Sequence, residues 1–110
     1  MKIYLASPYS HANPDVRETR FELAAKAAAE LMRRGHLVFS PIAHSHPLAV
    51  HGGLRGDWNF WREFDHSFFE WADELWMLEL PGWDTSPGID AEIKSFPRDK
   101  AIKYINPSEL

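Results

Sequence analysis

Short runs of β-favouring apolar residues alternate along the chain with longer stretches in which apolar residues recur every three or four positions. The short runs predict four strands, at 2–6, 37–39, 74–80 and 101–105. Strands that alternate with helices form parallel sheets with right-handed crossovers. The pattern therefore predicts an α/β fold, a small flavodoxin- or Rossmann-like parallel sheet of four to five strands with helices on both faces, within a single domain spanning residues 1–110.

Capping residues mark the starts and ends of the helical stretches. Pro14 precedes the first stretch and Gly35 follows it, while Asp57 and Ser86 stand where N-caps are expected for the other two. These signals predict three helices, at 16–34, 57–71 and 87–95.

Residues 40–53 are rich in proline, glycine and histidine, which predicts a long loop. One alternative is that this segment binds a zinc, iron or manganese ion. The ligands would be its three histidines and two residues that follow, namely His44, His46, His51, Asp57 and His66. His-x-His on a loop lacks the fixed i, i+4 spacing of a helical metal motif. Base recognition or packing is therefore favoured for His46, and no metal is expected.

The composition excludes several classes of protein. There is no cysteine, so a thiolate nucleophile, a zinc-thiolate site and an iron–sulfur cluster are excluded. The 110 residues carry a net charge of −4, and their basic residues are scattered, which argues against binding to a nucleic acid polymer. No stretch approaches the ~20 apolar residues of a membrane span. We expect a cytoplasmic protein without a membrane partner, for which a small-molecule nucleotide remains a suitable ligand.

Aromatic residues are abundant, with five Trp, seven Phe and three Tyr. Trp61, Phe64 and Phe68 lie three and four positions apart and predict one inward face of the 57–71 helix. The other aromatic residues of that segment cannot share this face. The surplus predicts a homodimer or a larger homo-oligomer.

Candidate chemistry gathers in the segments that follow the strands, because ligands of parallel α/β sheets bind at the carboxyl ends of the strands. Ser7 and Ser10 follow the first strand and precede Arg17 and Arg20, a combination that suits an anion. An ordinary turn with solvated arginines is the alternative interpretation of this segment.

The segment 82–92 follows the third strand and carries Asp84, Ser86, Gly88 and Glu92. Glycines on either side of a cap residue permit a ligand to approach the backbone closely, and Glu92 falls in the second turn of the predicted helix, within reach of the rim. A solvated helix glutamate is the alternative.

Two aspartates frame the end of the aromatic helix. Asp65 follows Trp61 by one turn, and a carboxyl against aromatic rings is poorly solvated, which raises its pKa toward the range of a general acid. Asp73 has the position of a structural residue that receives backbone donors at the start of the third strand.

These motifs resemble the nucleoside 2-deoxyribosyltransferase superfamily, which includes the 2′-deoxynucleoside 5′-phosphate N-hydrolases. The family begins with a strand whose tyrosine runs into a small-residue loop, as Tyr4 does here. It then places two aspartates eight residues apart, matched by Asp65 and Asp73, and a serine six residues before a nucleophilic glutamate, matched by Ser86 and Glu92. Serine at that position is typical of the nucleotide-acting members, and aspartate of the nucleoside-acting ones.

The resemblance implies roles for individual residues. Glu92 would be the nucleophile, Asp65 the acid that assists the departing base, and Tyr4 the residue that orients the nucleophile. Ser86 would bind a phosphate. The substrate-binding residues expected from the resemblance and from the loops are Ser7, Ser10, Ser86, Gly88, Asp84, His46 and Trp61.

The expected activity is therefore cleavage or transfer of the N-glycosidic bond of a (deoxy)nucleoside 5′-monophosphate, through a glutamate nucleophile and without a metal or organic cofactor. A catalytically silent nucleotide-binding or assembly module of the same fold is the main alternative, because fold does not fix function. A metal-dependent hydrolase that uses the histidine segment is a third.

Overall fold

The computed structural model describes residues 1–110 and contains one sheet whose four strands are all parallel. In spatial order the strands are β2 (Leu37–Phe39), β1 (Lys2–Ala6), β3 (Glu74–Leu78) and β4 (Ala101–Ile105). The prediction of a small parallel α/β sheet is confirmed, with four strands. β3 ends two residues earlier than predicted, because the Leu80 amide turns back to the Leu78 carbonyl instead of pairing with a neighbouring strand.

Four α-helices connect and cover the strands: α1 (Pro14–Arg33), α2 (Pro41–Gly52), α3 (Trp58–His66) and α4 (Pro87–Ser95). Short 3₁₀ helices lie at Trp83–Thr85 and Pro107–Glu109. Asp57 and Ser86 cap α3 and α4 as the sequence predicted, and Asn13, next to the predicted Pro14, caps α1. No helix is long and apolar enough to cross a membrane.

The predicted loop at 40–53 is wrong, since most of that segment forms α2. The Ser40 side chain accepts a hydrogen bond from the Ala43 amide at 3.3 Å, and Pro41 occupies the first turn, where a missing N–H costs nothing. Gly53 ends the helix with a φ of 72°. Proline and glycine therefore mark the ends of a helix here, although Pro47 also lies inside it.

The helix predicted at 57–71 is too long, because α3 ends at His66 and the chain continues as turns. The Lys100 ammonium group stabilises those turns by donating to the carbonyls of Phe69, Glu70 and Ala72 at 2.7–2.9 Å. The predicted inward face is correct only in part. Trp61 is buried, but 40% of Phe64 is exposed.

Two apolar cores lie on opposite faces of the sheet. Ile3 and Leu5 of β1 belong to a core with α1, whose contribution includes Leu31. Tyr4 and Ala6 belong to the other core, built with β3, α4 and the turns after α3. This separation follows from the alternation of side chains along a strand.

Candidate active site

A narrow cleft of about 60 Å³, here called the inner cleft, opens where the chain leaves β1 and where α2, α3 and the N-terminus of α4 converge. It gathers seven of the residues predicted from the sequence: Ser7, Ser10, Trp61, Asp65, Ser86, Gly88 and Glu92. Segments far apart in the chain therefore meet at the carboxyl end of the sheet, where parallel α/β proteins bind their ligands.

Glu92 projects into the inner cleft from the second turn of α4, and its side chain is buried. The hydroxyl of Tyr4, from the central strand β1, donates a short hydrogen bond to Glu92 Oε2. Tyr4 is itself fully buried. A rigid strand therefore fixes the direction in which the carboxylate points.

The surroundings of Glu92 oppose its ionisation. Burial raises the pKa of the Glu92 carboxyl to about 8, and the neighbouring Asp65 acts in the same direction, whereas the Tyr4 hydroxyl favours the ionised form. Burial, followed by the Glu92 charge, raises the pKa of Tyr4 far above its ordinary value. Tyr4 therefore remains a protonated donor throughout the physiological range.

Asp65 lies near the end of α3 and is also buried. Burial raises the pKa of Asp65 to about 7, as expected for a carboxyl among aromatic rings. Its Oδ1 atom has no hydrogen-bond partner in the protein. The inner cleft therefore contains two carboxyl groups whose pKa values lie near neutral pH.

Three of the four buried polar atoms that have no hydrogen-bond partner belong to residues lining this cleft. They are Ser7 Oγ, Trp58 Nε1 and Asp65 Oδ1. Buried polar atoms in folded proteins are nearly always hydrogen-bonded, and an orphaned one costs about 1–3 kcal/mol. Their concentration around one cleft is typical of a site that binds a polar ligand.

Ser86 and Gly88 define the end of the cleft at the N-terminus of α4. Ser86 Oγ accepts a hydrogen bond from the Ile89 amide at 3.3 Å, which leaves its own O–H free to donate. A Cβ at Gly88 would lie 3.5 Å from Cδ1 of Trp58. That distance is an ordinary van der Waals contact, so the Trp58 ring packs beside the start of α4 without requiring a glycine there.

Two predicted binding residues lie elsewhere. Asp84 is exposed on the 3₁₀ helix at Trp83–Thr85 and does not line the cleft. His46 is buried in α2 and stacks on Phe21 of α1 at 4.4 Å between ring centroids. The structural role predicted for Asp73 is confirmed, since its carboxylate accepts from the Lys2 amide at 2.8 Å.

The histidine segment does not assemble a metal site, because the structure has no group of three or more His, Asp or Glu residues placed to hold an ion. His44 stacks on Phe64 at 5.0 Å, and His66 stacks on Phe69 at 4.5 Å. These imidazoles therefore pack as aromatic rings.

Sequence reasoning missed Tyr9, although it is an aromatic residue between the two predicted serines. Tyr9, Ser10 and Gly56 line both the inner cleft and an adjoining cavity of about 560 Å³, here called the outer cavity. Arg17 and Arg55 border the outer cavity. The two spaces therefore adjoin each other at these three residues.

The two arginines predicted to accompany the first loop bind backbone carbonyls. Arg17 donates to the His11 carbonyl, and Arg20 donates to the carbonyls of Ser10 at 2.9 Å and Pro81 at 3.3 Å. Arg20 therefore joins the loop after β1 to the loop after β3. Gly82, beside it, has a φ of 94°, and a Cβ there would lie 2.6 Å from Arg20 Nη2.

One solved structure with a similar fold is that of a 2-deoxyribosyltransferase from Bacillus psychrosaccharolyticus. It is 26% identical and has a TM-score of 0.64, and the similarity covers 97% of this chain and 73% of that one. The chain thus has a nucleoside deoxyribosyltransferase-like fold. A comparison with curated protein sequences found no match. Residues 1–105 match the family model described as a domain of unknown function, DUF1937, and the chain belongs to that family.

Proposed function

We propose that this protein cleaves or transfers the N-glycosidic bond of a (deoxy)nucleoside 5′-monophosphate, with Glu92 as the nucleophile. The observation that carries the proposal is the buried Glu92 carboxylate, oriented by Tyr4 and facing a second buried carboxyl, Asp65, across one cleft. The similarity to a 2-deoxyribosyltransferase supports the general reaction class.

In the proposed reaction, one oxygen of Glu92 accepts the hydrogen bond from Tyr4 while the other attacks the anomeric carbon of the sugar. The bond between that carbon and the base nitrogen breaks, and its electron pair leaves with the base. Asp65, in its acid form, gives the base a proton. Water, or a second base, then gives a proton to the Asp65 carboxylate and attacks the anomeric carbon, which breaks the bond to Glu92 and releases its carboxylate.

Two buried carboxyls that line one cleft, where the Asp65 charge raises the pKa of Glu92, favour a state in which the pair holds one proton. Tyr4 stabilises the negative charge on Glu92, while Asp65 has no donor to stabilise an anion. Burial raises the pKa of Glu92 to about 8 and that of Asp65 to about 7, so the two carboxyls compete for this proton. The proposed reaction uses the form with the proton on Asp65, which the hydrogen bond from Tyr4 to Glu92 favours. This distribution supports the assignment of a nucleophile and an acid to two residues of the same chemical type.

Selection of a nucleotide over a nucleoside is supported by the serines at the rim. Ser86 has a free O–H beside the N-terminal amides of α4, and Ser7 Oγ is buried without a partner. Helix N-termini and hydroxyl donors favour phosphate. In Ser86→Asp, the added charge should weaken binding of a monophosphate far more than binding of the matched nucleoside.

Base release is the experiment that tests the proposal. The protein is incubated with a panel of nucleoside and deoxynucleoside 5′-monophosphates, and free base is measured by chromatography. Glu92→Gln serves as the inactive variant. Asp90→Asn is its matched control, because Asp90 is an exposed carboxylate on the same helix.

We expect base release by the wild type and by Asp90→Asn, and none by Glu92→Gln. Equal release by Glu92→Gln would overturn the assignment of the nucleophile. Tight nucleotide binding without base release by the wild type would favour the catalytically silent binding module.

We also propose that a second copy of the chain covers the exposed apolar residues of α2 and α3. Phe60 and Phe64 are 43% and 40% exposed, and Leu48 is exposed nearby in the chain. Sedimentation at micromolar concentration should show a dimer or a larger species, and Phe64→Glu should shift it toward monomer. A monomeric wild type would contradict this proposal.

A further inference from the structure

We propose that Glu18, His46 and Tyr9 form a hydrogen-bonded relay that presents the Tyr9 oxygen to the substrate as an acceptor. The site would then select bases that carry an amino group over bases that carry a carbonyl group at the same position. This inference rests on the proposed function, because it assumes that the cleft holds a nucleotide.

The relay runs from solvent to the cleft through three side chains. The Glu18 side chain is half exposed on α1, and its Oε2 lies 2.6 Å from His46 Nε2. His46 Nδ1 lies 2.7 Å from the Tyr9 hydroxyl oxygen. Both rings nearest the imidazole hold it in place, since it stacks on Phe21 and meets Tyr9 edge to face.

The chemistry of the relay sets the direction of each hydrogen bond. A carboxylate can only accept, so Glu18 keeps the proton of a neutral imidazole on Nε2. Nδ1 of His46 is then an acceptor and takes the single proton of the Tyr9 hydroxyl. The Tyr9 oxygen is left with lone pairs alone for any further partner. It can accept from an amino group but cannot donate to a carbonyl.

The position of Tyr9 places that oxygen beside the base. The inner cleft, at about 60 Å³, is too small for a sugar and a base together, whereas the outer cavity of about 560 Å³ adjoins it. The outer cavity has apolar walls at Ala49, Val50 and Leu54, which suit a flat ring. Tyr9 lies at the junction, where a Cβ on Gly56 would be 3.9 Å from its hydroxyl oxygen.

The other charged group beside Tyr9 does not supply what the relay supplies. Arg17 borders the outer cavity, and its guanidinium donates to the His11 carbonyl. Burial raises the pKa of the Tyr9 hydroxyl, and the charge and hydrogen bond of Arg17 oppose that shift, so Arg17 also approaches the Tyr9 oxygen as a donor. It is a cation without an acceptor lone pair, so it cannot accept from an amino group. Glu18 and Arg17 thus leave the Tyr9 oxygen as the acceptor that faces the junction.

Glu18→Gln is the sharpest variant, because it keeps the size of an exposed side chain and removes only the fixed acceptor. The glutamine amide can accept from Nε2 or donate to it, so both imidazole tautomers become accessible. With the proton on Nδ1, the imidazole donates to the Tyr9 oxygen and frees the Tyr9 O–H for a carbonyl group. Glu22→Gln, on an exposed residue of the same helix, is the matched control.

The experiment compares two pairs of 5′-monophosphates, adenine against hypoxanthine and cytosine against uracil, at pH 8, where imidazole is ordinarily neutral. Dissociation constants from calorimetry and kcat/KM for base release are both measured. The wild type and Glu22→Gln should favour the amino base about tenfold in the pair that binds more tightly. Glu18→Gln should reduce that preference to roughly twofold by improving the carbonyl base.

Tyr9→Phe should reduce the same preference by weakening the amino base alone. An equal loss of affinity for both members of the pair, in either variant, would mean a structural role and would overturn the relay. A wild-type preference for the carbonyl base would overturn it as well. If no base is released but the binding ratios change as stated, the proposed function fails and the relay stands.

Discussion

The two faces of the sheet bury different kinds of side chain. Toward α1, β1 contributes Ile3 and Leu5 to a core of aliphatic side chains. Toward α4, the same strand contributes Tyr4, which contacts the buried carboxylate of Glu92. Alternate residues of one strand therefore serve an apolar core and a polar cleft.

Buried apolar side chains and buried carboxyl groups have opposite effects on the stability of the fold. Burial of apolar surface stabilises a fold by about 25 cal/mol per Å². Burial of a carboxyl group opposes folding unless partners compensate for the lost water, and Asp65 has an oxygen without a partner. We infer that the apolar cores on both faces hold the sheet together, and that the buried carboxyls on the α4 face are kept at some cost to stability.

Glu92→Gln should give the largest effect and should change activity without unfolding the protein. Replacing the proposed nucleophile with a neutral group of equal size should lower kcat for base release by about 10⁴-fold or more. Chromatography measures release, and circular dichroism checks the fold. Activity within tenfold of the wild type would break the division between the two faces.

Asp65→Asn should lower kcat by about 10²–10⁴-fold, because asparagine cannot give a proton to the leaving base. The wild type should lose activity as the pH rises beyond the range of about 7 to 8 in which the pKa values of Asp65 and Glu92 lie, since the pair then loses the proton that Asp65 must give to the base. A pH profile of kcat tests both points. An alkaline limb of the same position in Asp65→Asn would contradict the assignment.

Leu31→Ala, on the opposite face, should destabilise the protein by about 2–5 kcal/mol, because it leaves a cavity beneath the sheet. Urea unfolding measures this loss. Base release at temperatures well below the unfolding transition should match the wild type. A loss of kcat as large as that of Asp65→Asn would show that the two faces are not separable.

The smallest effect should be a gain in stability for Glu92→Gln at alkaline pH. The pKa of Glu92 rises from 4.5 in the ordinary carboxyl to about 8 in the fold, so between these values the folded protein holds a proton that the unfolded chain loses. Stability of the wild type should fall as the pH rises through that range. Glutamine does not titrate, and should add about 1–2 kcal/mol at pH 8. Urea unfolding at pH 5 and pH 8 measures the difference.

Local signals predicted most of the fold. The strands at 2–6, 37–39 and 101–105 and the caps of α1, α3 and α4 depend on neighbouring residues, and they match the structure. The helix at Pro41–Gly52 was missed, since proline and glycine read as loop residues when their places at a helix start and end are not weighed. Its packing on α1 is a long-range effect that no local pattern encodes.

The sequence predicted the residues of the candidate site that belong to recognisable motifs, but not the contacts that form only when distant helices pack. Glu92 and Asp65 were singled out from their positions in the sequence, Tyr4 came from the resemblance to the deoxyribosyltransferase superfamily, and the structure brings the three together. The partners of His46 could not be identified, because Glu18 and Tyr9 reach it only after α1 and α2 pack against each other. Such a contact between distant segments cannot be inferred from the spacing of residues within one segment.

Arg20 couples the loop after β1 to the loop after β3, so that a change in one loop affects the other. Its guanidinium holds a carbonyl from each loop, and the bare Cα of Gly82 leaves it the room to do so. A substitution at Gly82 would displace the arginine and so disturb the loop after β1, although the two positions are far apart in the sequence. Anyone redesigning this pocket by loop exchange should transplant both loops together with the arginine between them.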